Sequence, residues 1–525
     1  MVILLLGAAS ALADRDDREI AELLAPDGEP GDGFGYAVAI DGDVALVGAP
    51  WDDDLGPDSG SVYVFVREIP STPQPPQSRP RWSFRTKLTA AGGMYGDHFG
   101  ISLALRGDIA AVGAPGADAA GLGNLGSVRI LRRHDGGPDQ WGEIRRLHPP
   151  LLVGESWFGF AIAMAGSRLV VGAPTWYITR GAAFLFAQDE GGPDQWGMVA
   201  RLEPSPPSSC SSSSFGWRVA IDGETIAVGA TKGMPHDEDG SVHIFNRDCG
   251  GADRWGEVGF VLPPGGCQLS QFGWGMALAG DVLAVSQVVA SPLSLHIFAR
   301  DEGGPDAWGL RKSISIEECL AVALDEDLLL GGSVEYPAYV RAYVQDLDGV
   351  DAWGVAADLN PSSPAYDFGE SISIAGHDII IGGSFESETA WVFDFSPANT
   401  ARAVLRNDGG NRNPVSYSGG RPAIGDTVAA TVDLSTTGHS LALLFGTGGP
   451  AEIPLAGGQV LLCAMGEILL LTPPAAGPQA FFELAIPDDP RLFGVRLSTQ
   501  ALHFGGIAPF ALSNAQDLRL GYGPP

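Results

Sequence analysis

The stretch Phe34–Val66, FGYAVAIDGDVALVGAPWDDDLGPDSGSVYVFV, reads as three short strands in a row. Gly35 to Ile40 alternates small and large residues, which suits a strand lining a crowded interior. Asp41-Gly42 is a two-residue hairpin signal, because a type I′ turn needs positive φ and glycine adopts it without steric cost. Val44 to Val47 is a continuous apolar run, as expected for a strand covered on both faces. Pro50 stops it, since proline cannot donate to a ladder. Trp51 to Gly60 is a polar loop, and Ser61 to Val66 is a β-branched, aromatic strand.

The stretch returns with decay. Phe-Gly recurs at Phe34, Phe99, Phe158, Phe215, Phe272 and Phe368. Gly-Ala-Pro follows at Gly48, Gly113 and Gly172, and persists as GAT at Gly229 and as GGS at Gly331 and Gly382. The steps average about 56 residues if a degenerate unit lies between Phe272 and Phe368, and a period of this size marks a repeat architecture. In that unit the hairpin Asp325-Glu326 puts Glu318-Cys319 where Phe-Gly belongs; the fifth unit has Ser286-Gln287 for Gly-Ala. From the second repeat on, a turn such as DGGPDQWG at Asp135 leads into a fourth strand opening on Trp.

Four hairpin-linked strands per unit is the pattern of a propeller blade. Trp82, Trp141, Trp196, Trp255, Trp308 and Trp353 open only six fourth strands for seven starts. The missing strand stands at the other end of the chain, Glu19 to Leu24, just before the first Phe-Gly. The expectation is an all-β chain: a seven-bladed β-propeller over residues 14–395, closed by its N-terminal strand, then a small β-sandwich over residues 396–525.

Residues 1–13 end in Ala11-Leu12-Ala13 after a short apolar run, which reads as a signal peptide and a secreted or cell-surface product. No other run reaches the roughly 18 apolar residues of a membrane span. The chain carries 31 Lys and Arg against 63 Asp and Glu, a net charge of −32, which excludes nucleic acid as a partner class. Five cysteines are not a disulfide framework; Cys210–Cys267 and Cys267–Cys319 are the conceivable bridges.

Phe-Gly, an apolar strand, Val-Gly-Ala-Pro and Gly-Ser-Val-Tyr-Val-Phe together resemble the FG-GAP repeat, found in the N-terminal propeller of integrin α subunits and in bacterial secreted proteins. The resemblance covers about residues 19–395 and implies a seven-bladed propeller acting in adhesion or recognition. Its calcium sites use an acidic loop between the first two strands of a blade. Here that loop is the bare hairpin Asp41-Gly42-Asp43, too short for six to eight oxygen ligands, so no cofactor or metal is expected. The tail ALSNAQDLRLGYG resembles C-terminal modules of large secreted bacterial proteins.

Function is expected on the loops after Gly-Ala-Pro and before Phe-Gly, the part that does not repeat. The candidate ligand-binding residues are Trp51, Asp52, Asp53, Asp54, Asp58, Asp97, His98, Trp176, Tyr177, His236, Asp237 and Asp239. Aromatic residues there can stack on a sugar or anchor a protein, and clustered acids can meet a cation or a basic partner. The recurring Trp residues read as core. No nucleophile elbow, H-E-x-x-H or P-loop is present, and no catalytic residue is assigned. The expected function is non-enzymatic binding of extracellular protein or polysaccharide by a monomer. The alternatives are a hydrolase or lyase working around His98 or His236 at the channel mouth, and a purely structural surface protein.

Overall fold

The computed structural model describes residues 18–395, apart from segments 69–80, 119–122, 151–154, 175–180, 205–213, 232–239, 252–253, 265–270, 289–292, 317–318, 334–337 and 346–352 and positions 305, 364 and 386. Beyond 395 it describes strands alone. The expected signal peptide, the loop acids of 236–239, Trp176, Tyr177, Cys210 and Cys267 lie outside the described residues.

After β1 (Glu19–Leu23), the first blade is β2 (Ala37–Asp41), β3 (Val44–Ala49), β4 (Ser61–Glu68) and β5 (Arg81–Thr89), paired in that order. The second is β6 (Ser102–Arg106), β7 (Ile109–Ala114), β8 (Ser127–Arg133) and β9 (Trp141–Leu147). The third is β10 (Ala161–Ala165), β11 (Arg168–Ala173), β12 (Ala182–Ala187) and β13 (Gly197–Leu202). The fourth is β14 (Phe215–Asp222), β15 (Thr225–Ala230), β16 (Ser241–Asn246) and β17 (Gly256–Val261). The fifth is β18 (Met276–Ala279), β19 (Val282–Gln287), β20 (Ser294–Ala299) and β21 (Gly309–Ser315). The sixth is β22 (Cys319–Asp325), β23 (Leu328–Ser333), β24 (Tyr339–Gln345) and β25 (Trp353–Leu359). The seventh has three strands of its own, β26 (Ser371–Ala375), β27 (Asp378–Gly383) and β28 (Thr389–Asp394), and β1 is its fourth. The propeller closes as the missing Trp strand requires, with Glu22 opposite Trp391 and Leu23 opposite Ala390. Glu19 is buried at this seam, its carboxylate accepting from Ser362 N at 2.6 Å and Ser362 Oγ at 2.7 Å.

The core lies between blades. β3 is buried at every position because a neighbour covers each of its faces. One cluster joins Val38, Val47 and Tyr63 of the first blade to Ile380 and Val392 of the seventh; others join each of the first four blades to the next. Each recurring Phe is fully buried; five of the six meet rings of their own third strand, as Phe34 does Tyr63 at 5.2 Å and Phe158 does Phe186 at 6.0 Å, while Phe99 lies under the Arg129 guanidinium at 5.7 Å.

The two recurring glycines turn out to be one contact seen from two sides. Gly100 of the second Phe-Gly has φ +99, and its carbonyl would stand 2.1 Å from a Cβ on Gly48 of the first blade. The same happens between Gly113 and Gly159, Gly172 and Gly216, and Gly382 and Gly35. No side chain fits where adjacent backbones approach this closely.

The sixth unit differs in register from its expected alignment. Cys319 pairs with Ser333 as Phe215 pairs with Ala230, so Cys319 takes the place of Phe, and Glu318 lies outside the described residues. Gly332, not Gly331, meets the glycine carbonyl of the next blade, at 2.1 Å from a Cβ. The sixth blade has no Phe-Gly glycine, and the fifth blade facing it carries Ser286 instead of Gly. Decay in two blades is thus the loss of one inter-blade contact. Cys319 is a buried free thiol, which excludes the Cys267–Cys319 bridge in this structure.

Beyond 395 all described structure is strand. One sheet holds Arg402–Arg406, Ala511–Arg519, Arg496–Phe504, Leu441–Thr447 and Ile468–Leu471, with Ala475–Ala476 alongside. A second holds Tyr417–Gly419, Thr427–Asp433 and Gln479–Ala485, and a third Pro450–Pro454 and Val460–Cys463. Among the described residues no helix is long and apolar enough to cross a membrane.

Candidate functional site

The loop candidates that the structure describes are largely engaged in holding the first two blades. Asp52 is buried and lies 2.6 Å from Lys87 Nζ; Asp54 lies 2.7 Å and Asp27 3.2 Å from the same ammonium. Tyr63 Oη donates to Asp27 at 2.8 Å. Burial opposes the Lys87 charge, but its bonds to Asp52 and Asp54 outweigh this and raise its pKa. The Trp51 ring lies on the Gly33 backbone, 5.1 Å edge-on from Tyr36 and 6.0 Å from Phe385, so it covers the seam of blades one and seven. Asp97 is buried and accepts from Met94 N at 3.0 Å, with burial raising its pKa. His98 Nδ1 faces the Pro50 carbonyl at 3.3 Å. Asp97 and His98 are thus turned to different backbone partners. Asp53 is exposed, and the Asp58 carbonyl accepts from His98 N.

Two cavities stand out. One of about 600 Å³ lies along the outer strands of the first two blades, but its charges are already satisfied: Arg129 by Glu143 at 2.8 Å, Arg85 by Asp139 at 3.3 Å, Lys87 by Asp52. The other, about 250 Å³, is lined by the innermost strand of every blade and is the central channel.

The channel is built by the residues just after Phe-Gly. Two positions after each Phe stand Tyr36, Ile101, Phe160, Trp217, Trp274 and Glu370. One position further stand Ala37, Ser102, Ala161, Gly275 and Ser371, with Arg218 alone large in the series. Small residues are needed there because seven strands converge on one axis. In β14 a bulge between Phe215 and Arg218 shifts the register at the one position that departs from the rule. An aromatic arc runs along the mouth: Trp157 to Phe160 at 5.8 Å, Phe160 to Trp217 at 4.6 Å, and Trp217 to Trp274 at 5.4 Å. Tyr36 with Trp51 stands in the first blade.

Three ionisable groups face this cavity. Arg218 makes one long bond, 3.4 Å to its neighbour's carbonyl at Trp217, and burial lowers its pKa. Burial raises the pKa of Tyr36; Arg218 opposes that rise and Glu370 adds to it, so the phenol lies within electrostatic reach of both. Glu370 is raised by burial and accepts on Oε2 from Ser384 N at 3.2 Å and Ser384 Oγ at 2.6 Å.

The loop candidates do not include these channel residues, although their signal is in the sequence. These channel-lining groups sit inside the repeat, at two positions after each Phe-Gly, while their neighbours recur.

Comparison with known proteins comes to the same repeat. The FG-GAP repeat family matches at residues 18–65, 82–130 and 196–245. No curated protein matches the chain. Among solved structures, a gluconolactonase from Xanthomonas campestris is 14% identical over 51% of this chain and 78% of its own, with a TM-score of 0.30. The β-propeller domain of the Trilobed protease from Pyrococcus furiosus is 7% identical over 69% and 94%, with a TM-score of 0.35. Citrobacter koseri AztD is 11% identical over 85% and 99%, also at 0.35.

Proposed function

Given that the chain is an FG-GAP repeat β-propeller, we propose that it is a secreted, non-enzymatic binding protein that takes a carbohydrate at the Phe-Gly mouth of its channel. The observation that carries this reading is the aromatic arc of Phe160, Trp217 and Trp274 beside a cavity lined on its far side by Tyr36. Flat rings stack on the apolar faces of sugar rings, and polar groups beside them take the hydroxyls. At about 250 Å³ the cavity is below the roughly 300–1,000 Å³ of a drug-sized pocket, which suits one sugar unit of a longer chain. Binding without turnover is favoured by Asp97 and His98, whose side chains serve backbone partners rather than each other. Export is supported by Ala11-Leu12-Ala13 after an apolar run.

The test is a titration of the full chain with neutral and acidic oligosaccharides, read by tryptophan emission and calorimetry. Trp274→Ala and Phe160→Ala should each weaken the best ligand about 5- to 10-fold. A panel in which no oligosaccharide binds, with emission unmoved, would sink the reading.

A further inference from the structure

The channel holds a charge that the fold does not need. Half-buried or buried arginines elsewhere are matched to acids: Arg133 to Asp43 at 2.8 Å, Arg300 to Asp281 at 3.1 Å, Arg341 to Asp358 at 2.6 Å, and Arg129 to Glu143. Arg218 has no carboxylate partner among the described residues, in a chain with 63 acidic residues to choose from. A guanidinium carries five N–H donors in a planar fork, and here one long bond to Trp217 O uses one of them. Taking such a charge partly out of water without an anion costs stability. A small residue, as at Ala37, Ser102 or Ala161, would avoid that cost, and the other repeats have one. Arg218 is therefore better explained by something that binds than by the fold.

The neighbouring groups narrow the choice. Tyr36 Oη has no hydrogen-bond partner among the described residues, and both bonds that the Glu370 carboxylate accepts from Ser384 fall on Oε2, leaving Oε1 open to a hydroxyl. A planar fork matches a carboxylate in two-point fashion, and a phenol with a carboxylate oxygen suits a polyhydroxylated ring.

We propose that the sugar held in the channel mouth is a uronate, with its carboxylate on the Arg218 guanidinium, its ring against Phe160 and Trp274, and its hydroxyls on Tyr36 and Glu370. The proposal rests on the carbohydrate reading above and adds the ligand's charge. Arg218 is then the residue that sets specificity, while the arc sets affinity for sugars in general.

The experiment pairs ligands that differ only in the carboxylate. The full chain is titrated with oligomers of galacturonate, glucuronate and mannuronate, and with each oligomer after reduction of its carboxyl groups to neutral sugar. At least one uronate oligomer should bind, and its reduced form should bind about 10- to 100-fold more weakly, the worth of a charged hydrogen-bonded pair. Arg218→Met should bring the acidic oligomer down to the affinity of the neutral one. Its melting temperature should not fall, because an unpaired charge has been removed. Arg218→Lys keeps the charge without the fork and should recover part of the preference; it decides the matter if Arg218→Met does not fold. If acidic and neutral oligomers bind equally, or a folded Arg218 variant keeps the full preference, the uronate assignment falls and the carbohydrate reading stands. If no oligomer of either kind binds, the carbohydrate reading falls and the assignment goes with it.

Discussion

His296 occupies the place in its blade that Tyr63, Arg129, Phe184, His243 and Trp391 occupy in theirs, opposite the residue before the Gly-Ala pair. It packs on Phe272 at 5.9 Å. Its Nε2–H faces Gln287 Oε1 at 2.7 Å, and in the neutral ring that burial favours Nδ1 accepts from Ser313 Oγ at 2.8 Å. Burial holds its pKa at about 4. An unfolded histidine titrates near 6.5, so between these values the unfolded chain binds the extra proton. This group's contribution is whole above pH 6.5 and is lost as pH falls towards 4, on the order of 3 kcal/mol in all. Chemical denaturation at pH 7 and pH 4.5 should show a larger acid loss for the native chain than for His296→Gln; equal losses would remove the assignment. The pair also explains a residue that looked like decay, since Gln287 replaces the usual Ala where His296 needs a partner. Recurring residues were readable because phase marks them as architecture. The contact of Asp52 with Lys87 was not, because it joins segments that only the folded blade brings together. Arg218 was readable only against the small residues at its place in other repeats.

At the scale of elements, closure was legible by counting, since six Trp strands against seven starts leave one outer strand to be supplied by Glu19–Leu23. The energetics of that strand follow from what it covers. β28 is buried in all but its last residue, and Trp391 and Val392 have no exposure. Removing residues 1–24 would bare an apolar strand with a row of unpaired backbone groups, a ready template for another chain. The truncated protein should self-associate in sedimentation and lose the cooperativity of thermal unfolding; a monomer melting as sharply as the full chain would show that closure is not needed. The sixth blade was less legible for a physical reason. A seven-residue run from Cys319 to Asp325 replaces the eight from Phe to the hairpin, and the β-bulge between Cys319 and Val322 absorbs the difference. Counting back from the hairpin at fixed length therefore lands one residue early, at Glu318 instead of Cys319.

For the whole molecule, a net charge of −32 and an anionic ligand at Arg218 make a combination with a sign that can be measured. A basic binding surface draws an anion in at long range, and salt weakens it. Here the long-range field opposes approach, while the guanidinium is half-buried and acts only at contact. The Debye length falls from about 30 Å at 0.01 M salt to about 8 Å at 0.15 M, so added salt removes repulsion from the bulk of the chain before it touches the pair in the channel. The association rate of a uronate oligomer should therefore rise several-fold over that range, with dissociation nearly constant. The carboxyl-reduced oligomer, having no charge to repel, should associate at a rate indifferent to salt. Stopped-flow tryptophan emission at the two salt concentrations reads both. A uronate association rate that falls with salt would mean that an attractive basic surface guides the ligand, and would move the binding site away from the channel mouth.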